Sequence, residues 1–239
     1  MVRRNTSVIR RSVLRGILKC DPQSKDLRKQ FDVLVARMCV LFEDLRLELN
    51  AIGADSIPKL DVLDPAGRFV ETKDIGKTRR LYFLRRSIGT LTEFADAIYW
   101  INACPEMQAL KDSWGSAEDT NTWNAAVAFF LTNERFIENV RNDVGGHFGM
   151  KAAHYAVGNL DPSITGKMDR YWNEDGDQSM RLHFAGEIAA TAFVRHLCGT
   201  TVTDKVEALF RDVLMPAYGH ATVAVKIIAA SHLWHRFGH

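Results

Sequence analysis

TWNAAVAFFLTNERFIENVRNDVGGHFGMKAAHYAVGNL, residues 122–160, decides how this chain folds. At about 100° per residue, Trp123, Ala126, Val127, Phe130, Ile137, Val140 and Val144 share one side of a helical cylinder, so the stretch reads as an amphipathic helix with its apolar side on a core. Gly145 and Gly146 break that pattern, and it resumes at His147, running through Phe148, Ala152, Tyr155 and Ala156 to Asn159 before Asp161–Pro162 closes it. Arg141 falls on the apolar side or at its margin. Burying a guanidinium unpaired is costly, so it needs an acid, a carbonyl or an anionic ligand; Glu138 and Glu134 are the partners within reach along the same helix.

Working toward the N-terminus, Asp112 to Thr120 reads as a connection, and Pro105 ends a preceding helix that spans about Lys77 to Ala103. That helix is apolar almost all round. Leu81, Leu84, Ile88, Leu91, Ala95 and Ile98 form one stripe, widened by Phe83, Phe94 and Ile101, with Tyr82 and Trp100 on the far side. So little polar face suits a helix central in a bundle or one shared with a second subunit, and favours an oligomer. Arg79, Arg80, Arg85 and Arg86 cluster at its start, either as an anion patch interleaved with Tyr82 or as surface arginines paired with acids such as Glu93 and Asp96. Upstream, Gly53 to Lys77 carries Pro58, Pro65 and Gly67 and reads as a loop with a short extended piece at Arg68 to Glu71. A further helix, with Ser24 or Asp26 as its cap and Gly53 as its stop, places Phe31, Leu34, Val35, Met38, Leu41, Phe42, Leu45 and Leu49 at spacings of three and four. Residues 1–23 form a basic segment with Arg3, Arg4, Arg10, Arg11, Arg15 and Lys19; its composition suits a nucleic-acid arm or a transit peptide, but a solvated amphipathic helix is the favoured reading.

Toward the C-terminus the period changes. Ile164, Gly166, Met168, Arg170 and Trp172 alternate with their neighbours, Asp175–Gly176 supplies a turn, and Met180, Leu182 and Phe184 alternate again, which predicts a β-hairpin over 164–184. Helices follow at Ala185 to Leu197 and from Asp204 to about Phe237, the latter capped by Thr203 and interrupted by Pro216 and Gly219 into a kinked helix or two. Its stripe through Phe210, Val213, Leu214, Ala221, Ala224, Ile227 and Ile228 reads as core. His232, His235 and His239 have helical spacing but no accompanying carboxylate or cysteine, so they read as incidental rather than as a zinc site.

The expected fold is therefore all-α: a single helical domain over 24–239, a bundle of about six or seven helices with one inserted β-hairpin. Composition agrees, since 46% hydrophobic and 25% charged residues are ordinary for a globular domain and exclude a disordered chain. The net charge of +2 does not advertise a polyanion partner, which leaves any such affinity to local clusters. Cys20, Cys39, Cys104 and Cys198 lack CxxC spacing and read as free thiols in a reducing compartment. No apolar run is long enough for a bilayer and no secretory signal is read, so a cytoplasmic protein without membrane association is expected. P-loop, dinucleotide, nucleophile-elbow and HExxH motifs do not occur.

Arg141, the polar Asn142 after it, and His147 at Arg-x5-His spacing resemble the Rx4–6H motif of the HEPN superfamily of all-helical domains. The apolar helix before the motif and HFGMKAAHYAVGNL after it are also similar to bacterial HEPN-like proteins, and the resemblance covers roughly Ser24 to Leu160. It implies a metal-independent endoribonuclease or RNA-binding effector of a toxin–antitoxin or phage-defence system, with RNA and a cognate antitoxin as partners and a site assembled across a homodimer. Gly145 and Gly146 depart from the pattern by breaking the helix inside the motif, and Asp143 adds a carboxylate that repels phosphate.

The chemistry can be stated from the residues themselves. Attack by the RNA 2′-hydroxyl needs a proton carrier near neutral pH and a cation for the charge developing on phosphate; His147 suits the first role and Arg141 the second. Asn142 can orient the imidazole or donate to a phosphate oxygen, and the scheme demands no metal and no cofactor. The alternative is a non-catalytic helical interaction module, in which the glycines are a hinge, His147 packs or caps, and Arg141 pairs with Glu138.

Overall fold

A computed structural model describes residues 30–53, 62–63, 69–70, 73–142, 150–160, 168–172, 178–197 and 201–234; side chains are described within the helices and the turns that adjoin them, apart from 73–79, 183–187, 196, 202–203 and 233–234. The architecture is all-α. In chain order the helices are α1 (Phe31–Gly53), α2 (Lys73–Ala103), α3 (Pro105–Ser113), α4 (Ala117–Val140), α5 (Met150–Gly158), α6 (His183–Phe193), α7 (Val202–Leu209) and α8 (Met215–Ile228). A π turn, Phe210–Leu214, joins α7 to α8 without a break, so the described residues form seven helical rods.

The core lies where α1, α2, α4 and α8 meet. Arg37 of α1 sits beside Asp96 of α2 while Glu48 sits beside Arg86, so the two helices run antiparallel. α4 packs on both α2 and α8, and α8 also reaches α1. Met38, Leu45, Ile88, Leu91, Phe94, Trp123, Phe130, Leu214 and Ile228 are all but sealed from solvent. Rings mark the seams: Phe94 and Phe130 lie 5.2 Å apart between α2 and α4, and Phe42 stacks on Tyr218 at 5.8 Å between α1 and α8. Each large apolar side chain buried this way contributes about 1.5–3 kcal/mol, against about 0–1 kcal/mol for an exposed ion pair. Packing therefore sets the rotation of each helix, and the charged residues follow.

The apolar breadth of α2 is consumed inside this chain. Its faces meet α1, α4, α6 and α3, so it is central in the bundle, leaving Tyr82 and Tyr99 as its large exposed rings. Helix ends differ from the sequence expectations for local reasons. Pro105 stops α2 but also opens α3, because a proline at the first helical position forfeits only a donor that would be unpaired anyway. Ser116 caps α4 by accepting from Glu118 N at 3.0 Å, which starts that helix earlier than expected. The cap of α7 is Thr201 and not Thr203: its hydroxyl accepts from Asp204 N at 3.1 Å while Asp204 accepts from Thr201 N at 3.2 Å, a reciprocal capping box.

Pro216 and Gly219 do not split the last helix. In the π turn, Met215 N–H reaches back to Phe210 O, and this wider turn sits directly before the proline, which has no N–H to give. The resulting helix, Asp204–His232, is long and apolar enough to cross a membrane by length and composition, which corrects the expectation that no run reaches that length. In this fold Leu209, Leu214, Ala217, Ala221 and Ala224 are buried within the protein.

Two short ladders accompany the helices. Val62–Leu63 (β1) pairs with Phe69–Val70 (β2), and Met168–Trp172 (β3) with Gln178–Leu182 (β4), antiparallel, with Met168 opposite Leu182 and Trp172 opposite Gln178. The described architecture is that of the helices, and an inserted β-hairpin over 164–184 is not supported as part of it, since alternation over a few residues predicts at most a short local pairing. The proposed caps Ser24 and Asp26, the basic segment 1–23, the turn at Asp175–Gly176, and Cys20 and Cys198 lie outside the described residues.

Candidate functional site

Arg141 is positioned by the residues just before it. Ile137 and Val140 are buried and fix the rotation of α4, so the next residue points about 100° away from the core. Its side chain is 43% exposed, so of the two expected positions it takes the margin and not the apolar side itself. The carboxylate facing it is not the expected one. Glu93 Oε1, on α2, stands 3.7 Å from Arg141 Nη2, whereas what Glu138 offers is its backbone carbonyl, which with that of Ile137 accepts Arg141 N–H. Helical spacing counts neighbours along one rod, and the nearer acid came from the rod beside it.

Glu93 is shared. Arg37 of α1 holds its other oxygen, Oε2, and lies 3.8 Å from Asp96 Oδ2. Three helices thus bring two guanidiniums and two carboxylates together, with side chains 35–59% exposed. Arg141 and Asn142 directly follow α4, and both are exposed. The structure brings Arg141 and Asn142 to the surface together; His147, Asp143, Gly145 and Gly146 lie outside the described residues. His154 is exposed on α5.

The arginine patch at the start of α2 is divided. Arg86 Nε lies 3.6 Å from Glu48 Oε1, and Arg80 is exposed. Burial lowers the proton affinity of the Arg85 guanidinium, with Tyr82 acting in the opposite direction. Glu93 and Asp96, the acids expected to pair with this patch, are instead engaged by Arg37 and Arg141, since they sit about 10 Å further along the helix. Glu48 itself is buried between α1 and α2, where Thr90 Oγ1 donates to Oε1 at 3.1 Å and Oε2 has no hydrogen-bond partner. Burial pushes its carboxyl above the usual range, against the pull of Thr90 and Arg86.

A second polar contact lies in deeper surroundings. His232 Nε2 and Asp32 Oδ1 are 2.6 Å apart, both side chains are about nine-tenths buried, and Phe31 meets the imidazole edge-on at 4.9 Å. It joins the first turn of α1 to the π turn Ala229–Trp234 that ends the chain's last helix. Reading His232 with His235 and His239 missed this partner; the latter two lie outside the described residues. The available signal was Asp32 itself, an acid on the inward side of α1 next to Phe31 and Val35.

Polar seams elsewhere are internal. Lys111 Nζ donates to Asn102 Oδ1 at 2.8 Å and Asn124 Oδ1 at 3.1 Å, and Trp123 Nε1 donates to the same Asn102 oxygen at 2.9 Å, tying α2, α3 and α4. Cys104 is buried with its thiol on Trp100 O at 3.3 Å, and burial followed by Glu43 pushes the Cys39 thiol up, away from nucleophilic use. Among the described residues no three His, Cys, Asp or Glu side chains cluster in a way that could hold a metal ion. No family profile, curated protein or solved structure matches the chain.

Proposed function

We propose that the protein is a HEPN-like, metal-independent endoribonuclease or RNA-binding effector of a toxin–antitoxin or phage-defence system, acting in the cytoplasm as a homodimer. The observation that carries the reading is the exposure of Arg141 and Asn142 directly after α4, with Arg141 half-exposed and a second guanidinium, Arg37, on the same carboxylate. In the reaction, His147 takes the proton of the RNA 2′-hydroxyl as its oxygen attacks the adjacent phosphorus. Arg141 offsets the charge building on the non-bridging oxygens, and Asn142 donates to one of them. The bond to the 5′-oxygen breaks, that oxygen receives a proton, and a 2′,3′-cyclic phosphate remains.

The test is incubation of varied RNAs in chelator, comparing the wild type with His147→Ala and Arg141→Ala. Cleavage by the wild type that falls at least about a hundredfold in both variants is the expected result, the lower end of what a positioned acid–base group contributes. Equal cleavage by all three proteins, or none by the wild type, sinks the nuclease reading.

The Arg141–Glu93 contact favours a second reading, a non-catalytic interaction module in which Arg141 ties the end of α4 to α2. On that reading Arg141→Ala lowers stability without any RNA-dependent readout. Dimerisation is checked by light scattering of the full chain.

A further inference from the structure

We infer that Arg37 and Arg141 form a two-arginine site for an RNA phosphodiester, and that Glu93 is the internal anion which occupies it until the phosphodiester displaces it. This rests on the proposed RNA function and adds to it a residue, Arg37, and a means of restraint. The two guanidiniums come from different helices and meet different oxygens of one carboxylate: Arg37 Nη2 on Oε2, and Arg141 Nη2 at 3.7 Å from Oε1. A carboxylate and a phosphodiester both present two anionic oxygens on one central atom, so guanidiniums set around one are set around the other.

Exposure makes the exchange feasible. Arg37 is 35%, Arg141 43% and Glu93 45% exposed, so no group must leave a dry interior for the occupant to change. Ion pairs of this kind are weak and are further reduced by salt. Asp96 Oδ2, 3.8 Å from Arg37 Nη2, keeps Arg37 in place when Glu93 lets go. With Glu93 in position the cluster is neutral, Arg37 and Arg141 balancing Glu93 and Asp96, which agrees with a chain whose net charge of only +2 does not draw polyanions at large. An occupant must therefore offer enough further contacts to outcompete the carboxylate, as an RNA strand does and a free phosphate ion does not.

The experiment measures anisotropy of a labelled 2′-O-methyl oligoribonucleotide, which lacks the attacking hydroxyl, on the full-length protein at low salt. Glu93→Gln is expected to tighten binding about fivefold, the effect of removing one opposing charge at contact distance in water. Adding Arg37→Ala to Glu93→Gln is expected to abolish that gain. Glu106→Gln, the same charge change at an exposed site on α3, is the control and is expected to leave affinity within about twofold of the wild type, since a surface charge in contact with neither arginine acts on them only weakly through water. A Glu93→Gln affinity no tighter than that of Glu106→Gln, or a gain that survives Arg37→Ala, overturns the inference. Its fate is separable from that of the nuclease reading: an Arg37-dependent gain with no RNA cleaved by any variant keeps the anion site and removes the nuclease. Cleavage that depends on His147, with no gain in Glu93→Gln, does the reverse.

Discussion

Asp32–His232 and Arg37–Glu93–Arg141 use the same kind of contact in opposite surroundings. The first joins two ends of the described chain through an imidazole and a carboxylate that are each about nine-tenths buried and 2.6 Å apart. The second joins three helices through groups that remain a third to a half exposed, one contact stretched to 3.7 Å. Water decides what each can do. Deep in the protein, solvent does not take the place of a lost partner, so the contact is committed to structure. At the surface, water or a ligand can replace either partner at little cost, so the contact can be exchanged.

The largest effect that sharpens this contrast is expected at His232. His232→Ala removes the imidazole from the buried Asp32 carboxylate and is expected to lower stability by about 1.5–3 kcal/mol, the range of a hydrogen bond to a charged group, read from urea denaturation. A loss under about 1 kcal/mol, the range of exposed pairs, breaks the comparison.

Glu48 supplies an intermediate case, buried but only partly satisfied. Its folded carboxyl holds its proton more tightly than the unfolded one, so below the unfolded value both states are protonated and the favourable contribution is fully present. As pH rises past that value the unfolded chain ionises first, and this contribution is lost through the folded value. The stability of the wild type relative to Glu48→Gln is therefore expected to fall from pH 4 to pH 7. A difference that is flat with pH, or that rises, contradicts it.

The smallest effect belongs to the surface network. Arg37→Ala is expected to cost under about 1 kcal/mol at low salt and less at high salt. A loss of several kcal/mol, insensitive to salt, would mean that Arg37 is structural in the manner of His232.

Much of this contrast was hidden in the linear chain. The buried faces of α1, α4 and α8 were legible because burial along a rod repeats every three or four residues: Phe31, Leu34, Val35 and Met38, or Trp123, Ala126, Val127 and Phe130, all lie where their spacing predicts. The partners of charged groups were not legible. Helical spacing offers Arg141 the acids Glu138 and Glu134, yet the acid beside it is Glu93, 48 residues away in sequence and one helix over. Asp32 and His232 are 200 residues apart, and no periodicity connects them.

By itself, then, the sequence determined the all-α class and the inward stripes of α1, α4 and α8. Each of these depends on neighbours a turn or two away, and local backbone geometry fixes those distances. Only the tertiary structure decided that α2 is central within its own chain, that Pro216 is absorbed by a π turn, and that Arg37 joins Arg141 on Glu93 while His232 closes on Asp32. These depend on how helices rotate against one another. That rotation follows from sealing apolar area over the whole bundle, and it assigns the charged side chains their partners afterwards.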